Sequence, residues 1–223
     1  MGIVIGAKPE SSFADPLGLL SDCHRRIEKF LYTLIVIVEQ ARDSAQIEDR
    51  ERVEENEGGG VHLSIGRAAL TAEQRQALEV ALRYFREASP RHTRDEEESL
   101  FPKLRACGDG AAQDALDAVE ALEADHDRAE AGHAEVEHLG RTWLAEGGLT
   151  RKETARMADV LQSLQSLYRK HIRIEDTQIF PLAAKVLDAP TIQAIGREMA
   201  ERRGINWDAL PDLKPRCPTR RGG

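Results

Sequence analysis

Two stretches of the chain share a pattern that suits metal chemistry. Residues 92–102 read HTRDEEESLFP and residues 171–181 read HIRIEDTQIFP, each with His first, Glu fifth, an apolar residue ninth and Phe-Pro after it. On a helix, His and Glu four residues apart stand one turn apart on one face, near enough to approach the same ion or adjacent ions. Carboxylates can bridge two cations while imidazoles cap each one, and this donor mixture suits iron, manganese or zinc. A pair of bundle helices that each offer a His-Glu pair suits a dinuclear centre. One His on an apolar face is more often a hydrogen-bonded core residue, and one His-x-x-x-Glu is a common accident. Here, however, His24 and His126 also fall in phase with apolar stripes, giving four in-phase histidines with His92 and His171, and two in-phase glutamates, Glu96 and Glu175. Carboxylates on faces that should be buried are costly without a partner. A metal cluster is the most economical partner for all six.

Several neighbours are weighed beside them. Glu130 follows His126 by four residues and is a further candidate ligand. Glu28 stands in the same relation to His24, but competes with Ile27 for the inward direction and reads as a rim residue. His133 lies two turns from His126, about 10 Å along the axis, and reads as a hydrogen-bonded core residue or one behind the ligands. His138 reads as surface and His62 as a loop residue. Asp95, Glu97 and Glu98 read as solvated or rim charge, and the Phe-Pro pairs as core packing with a helix kink. No side chain is assigned a catalytic role of its own.

The elements that must position these residues follow from periodicity. A first helix starts at Asp15-Pro16 and carries Leu17, Leu20, His24, Ile27, Leu31, Leu34 and Val38 on one face. Residues 43–70, acidic and then Gly-rich, read as a flexible linker. A second helix opens at Thr71, with Gln74 completing a capping box, and kinks or restarts at Pro90. Its face is Leu78, Leu82, Phe85, Ser89, His92, Glu96 and Leu100. A third helix covers roughly 111–145 and carries Leu116, Val119, His126 and His133 in phase. Thr150 and Glu153 form the capping box of a fourth, whose stripe includes Leu161, Leu164, Tyr168, His171, Glu175 and Leu182. Strand signals are nearly absent. The expected fold is all-α: an up-down-up-down four-helix bundle over residues 14–188, after an N-terminal segment 1–13. Residues 189–223 form a short extra helix, about 190–203, and a basic, disordered tail.

Composition sets the outer bounds. Hydrophobic residues make up 41% and charged residues 31% of 223, which fits a globular chain. A formal charge of −8 and a pI of about 5.5 give no indication of a nucleic-acid-binding surface. The longest apolar run, residues 30–38, is about half of a membrane span. No secretory leader is evident, so a cytoplasmic location is expected. Cys23, Cys107 and Cys217 are widely spaced and odd in number, which points to free thiols rather than a disulfide framework or zinc ribbon.

At His24, HTRDE with LFP, His126 and HIRIE with IFP, the chain resembles the hemerythrin-like (HHE cation-binding) family over about residues 14–188. The resemblance implies a bundle holding two non-haem iron ions, bridged by Glu96, Glu175 and a solvent oxygen (oxo or hydroxo). His24 and His92 would hold one iron, His126 and His171 the other. It also implies small ligands such as O2, NO or peroxide, with a role in sensing or in oxidative or nitrosative stress defence. Oxygen-carrying hemerythrins place a fifth His where this chain has Glu130, which speaks against simple oxygen carriage. They use an Asp bridge where this chain has Asp176, yet Glu175 matches the repeat better. The alternatives are a di-iron oxidase or an iron donor for iron-sulfur cluster repair, and a bundle whose ions, such as zinc, serve stability alone.

Overall fold

The computed structural model describes residues 11–55 and 67–210; His62, Cys217 and the basic tail lie outside them. Helix α1 spans Pro16–Glu55, with the Gly18 amide donating to Asp15 Oδ1 at its start. The helix therefore runs through residues 43–55, where composition predicts a linker. That stretch is rich in Glu and Arg, both good helix formers, and has neither Gly nor Pro. Acidity alone does not break a helix.

The second arm is segmented. It comprises α2 (Ala72–Glu87), α3 (Ser89–Asp95), a π-turn (Glu96–Leu100) and α4 (Phe101–Ala106). The Thr71–Gln74 capping box forms, and the arm restarts at Ser89-Pro90. A short α5 (Gly110–Asp114) leads into the third arm, α6 (Leu116–Glu146). Gly147 ends α6 in the left-handed region at φ 75°, which glycine adopts without strain. The fourth arm has α7 (Arg151–Ile174) behind its Thr150–Glu153 capping box, a second π-turn (Glu175–Ile179) and α8 (Phe180–Val186). Helix α9 (Ala189–Glu201) follows, capped by Asp188.

Helix α1 packs on α2 and α7, and α6 packs on the same two, so the four arms close into a ring. The strands β1 (Ala68–Ala69) and β2 (Gly148–Leu149) pair antiparallel, with Ala68 opposite Leu149. Trp143, fully buried, donates its indole N–H to the Ala68 carbonyl at 2.7 Å. These contacts tie the first inter-arm connection to the last.

The core is divided. One apolar cluster includes Ile27, Leu34, Leu78, Ala129 and Leu161; the other includes Leu20, Leu100, Phe101, Leu122, Ile179 and Phe180. Along α1, His24 stands between Leu20 of one and Ile27 of the other; along α6, His126 stands between Leu122 and Ala129. A polar layer thus separates two hydrophobic ones. Helix α9 belongs to this body, since Ile195 and Met199 are buried in the second cluster.

Candidate metal centre

Both glutamates of the repeat open a π-turn. In each, the Phe amide donates to the carbonyl five residues back, Phe101 to Glu96 and Phe180 to Glu175. The following prolines account for this. Pro102 and Pro181 lack an N–H, and in an α-helix their rings would clash with the carbonyl four residues back. One extra residue in the turn relieves the conflict, and such turns are frequent at functional sites. The extra residue also shifts the phase beyond it: Ala183, not Leu182, is fully buried.

The side chains converge in the polar layer. His24, His92, Glu96 and Glu175 offer one ligand atom each within 4.8 Å of one another, and Glu96, His126, His171 and Glu175 do the same. The two groups share both carboxylates. The Nε2 atoms of all four histidines face them. His24 Nε2 is 3.1 Å from Glu175 Oε2 and 3.7 Å from Glu96 Oε1. His92 Nε2 is 3.4 Å from Glu96 Oε1, and His126 Nε2 is 3.4 Å from Glu96 Oε2. His171 Nε2 is 3.1 Å from Glu175 Oε2.

Residues next to the glutamates orient the rings. Asp176 Oδ1 lies 3.0 Å from His24 Nδ1, and Glu97 Oε1 lies 2.8 Å from His126 Nδ1. A carboxylate on Nδ1 fixes the ring tautomer and leaves Nε2 free as a ligand. Phe180 stacks on His24 at 5.4 Å between centroids, and Phe101 on His126 at 6.4 Å. The repeat therefore extends further than it first reads, because an acid occupies the sixth place in both copies. Glu97 is no mere rim charge. Asp95 also departs from expectation: it is fully buried, and Arg202 and Arg203 beyond α9 pair with it.

Glu130 is the candidate that the fold does not bring in. It is exposed and belongs to neither four-residue group. A step of four residues on an α-helix overshoots a full turn by about 40°, and Ala129 takes the inward direction instead. Glu28 is exposed beside buried Ile27 in the same manner. His133 is partly buried and hydrogen-bonded, its Nε2 2.8 Å from the Tyr168 hydroxyl, and His138 is exposed.

The electrostatics suit a cationic occupant. Burial opposes the charge on Glu96, yet the imidazoles of His92, His126 and His24 outweigh it and hold the carboxyl well below its usual range. Burial likewise disfavours charge on His24, but Asp176, Glu175 and Glu96 raise it well above the usual imidazole value. His126 reaches about 9 against the same burial, chiefly through Glu96. His92 falls to about 4 because burial dominates. Both oxygens of Glu96 and of Glu175, with Nε2 of His24 and His126, are buried without a hydrogen-bond partner. Unsatisfied buried groups of this kind are costly, and the donors fit a pair of metal ions.

A sequence profile of the hemerythrin HHE cation-binding domain matches residues 15–183. The chain belongs to this family. No curated protein and no solved structure matches it. The hemerythrin domain thus spans all four arms, and its buried His/Glu cluster fits a metal-binding protein. Among the described residues, no helix is long and apolar enough to cross a membrane.

Proposed function

We propose that this hemerythrin-domain protein is a cytoplasmic, non-haem di-iron protein that binds or reacts with O2, NO or peroxide in sensing or in oxidative or nitrosative stress defence. The observation that carries this reading is the sharing of Glu96 and Glu175 between two four-residue donor groups. His24 and His92 would hold one ion and His126 and His171 the other, with the two carboxylates common to both. When bound, such a pair supplies redox chemistry and open positions for small ligands. The protein's own part is to fix the imidazoles through Asp176 and Glu97 and to flank the centre with an apolar cluster on either side. Glu130 drops out of the ligand set, so each position would present two imidazoles of its own and the two shared carboxylates.

Anaerobic metal analysis, followed by optical spectra with O2, NO and peroxide, tests the proposal. Iron near two per chain with ligand-responsive bands is expected. Protein that takes up neither iron nor any ligand sensitivity would overturn it. Zinc without redox response would favour a purely structural centre.

A further inference from the structure

A cavity of about 310 Å³ enters the bundle beside His126. One water needs only roughly 10–15 Å³ of such space, so the cavity is far larger than a diatomic requires. Its inner wall combines Phe85 and Ala129 with Ser89, His126, His133 and Tyr168, whereas Pro90, Arg94, Asp127 and Glu130 stand exposed at the mouth. The bundle's near-symmetry fails here. The counterparts of His133 and Tyr168, seven residues after His24 and three before His92, are Leu31 and Ser89. A His–Tyr pair therefore stands at these two places in one half of the repeat and not in the other.

His133 is held in place by Phe85, stacked on its ring at 4.2 Å, and by the Tyr168 hydroxyl at 2.8 Å from Nε2. Its Nδ1 is buried and has no hydrogen-bond partner. Burial lowers its pKa to about 4, so the ring is neutral near pH 7 and keeps one donor and one acceptor nitrogen. The mouth has the opposite character. Asp127 and Glu130 stand there, and the guanidinium beside them, Arg94, is engaged by Glu98 at 2.8 Å. A field of that sign discourages anions and leaves neutral molecules free to enter.

We propose that this cavity is a binding site for a small neutral alkyl hydroperoxide, with the alkyl group against Phe85 and Ala129 and the O–O–H group hydrogen-bonded to the Tyr168–His133 pair. The site brings the ligand to the His126 side of the centre. This inference rests on the functional reading above, which it narrows from peroxide in general to a hydroperoxide carrying an apolar substituent.

The test is binding, made on zinc-loaded and on metal-free protein so that no turnover occurs. With tert-butyl hydroperoxide as probe and ring-labelled Tyr and His, the Tyr168 and His133 resonances should move and saturate, while azide leaves them in place. Tyr168→Phe should weaken binding by about tenfold, the worth of one hydrogen bond. Ala129→Leu should fill the cavity and remove binding. Because that change is in the core, Glu130→Arg at the exposed mouth provides an independent check: the hydroperoxide should still bind, and azide should now perturb Tyr168. Unmoved Tyr168 and His133 resonances, or full-strength binding to Tyr168→Phe, would overturn the site. A chain that holds no iron would defeat the functional reading and leave this measurement interpretable.

Discussion

At the scale of single residues, the two shared glutamates and their flanking acids differ in consequence. Glu96 and Glu175 each serve both donor groups, so Glu96→Gln should lower occupancy at both positions, whereas His92→Asn should empty one. Metal analysis of the purified variants separates the two patterns. Asp176 and Glu97 act one step back, through His24 and His126. Asp176→Asn should weaken metal binding by roughly 10–100-fold, the usual effect of losing a partner that orients a ligand. A chelator competition curve with intact helicity would check it. His133 governs a pH dependence. Burial holds it at about 4, below the ordinary imidazole value of about 6.5, so the unfolded chain binds the extra proton between those values. Its contribution is complete above pH 6.5 and is lost as the pH falls toward 4, with a slope approaching ~1.4 kcal/mol per pH unit. Urea unfolding across that window should show the slope in the parent, and His133→Gln should flatten it.

At the scale of elements, the π-turns do the positioning. Pro181 forces a widened turn between Glu175 and Ile179, which fixes the direction of Glu175 relative to the apolar residues beyond it. Pro181→Ala removes the clash and restores an N–H, so the arm can return to α-helical register. The expected outcome is equal or greater thermal stability with reduced metal content, read from melting curves and metal analysis together. Pro102→Ala should act the same way on Glu96. Loss of stability with metal retained would count against this account of the turns.

For the whole molecule, α9 braces one edge of the polar layer. The carboxylate of Asp95, next to Glu96 in the chain, is fully buried and meets Arg202 and Arg203, while Ile195 and Met199 complete the second apolar cluster. Breaking a buried pair by removing one partner costs about 3–5 kcal/mol. Arg203 is partly exposed and Arg202 remains to share the carboxylate, so Arg203→Ala should fall at or below the lower end of that range. Removing the chain from residue 189 onward should expose the second cluster and destabilise the bundle further. Denaturation midpoints of the two variants test the order.

Much of this was legible in sequence. Helical periodicity, two capping boxes and the His-Glu-Phe-Pro repeat are local signals, carried by spacing along one element, and they determine the all-α bundle and the six converging donors His24, His92, Glu96, His126, His171 and Glu175. The roles of Asp176 and Glu97 were written there too, as an acid at the sixth place of both copies, but charged residues beside a ligand look like solvated surface until a partner helix is in place. Only the tertiary structure decided that Glu130 points outward, that Asp95 is buried against arginines from beyond α9, and that His133 and Tyr168 meet across a cavity. Those outcomes depend on which neighbouring arm faces each side chain. Spacing along one helix cannot specify that, because direction at i+4 is fixed only to within the breadth of a helix face, and contact is decided by packing between arms.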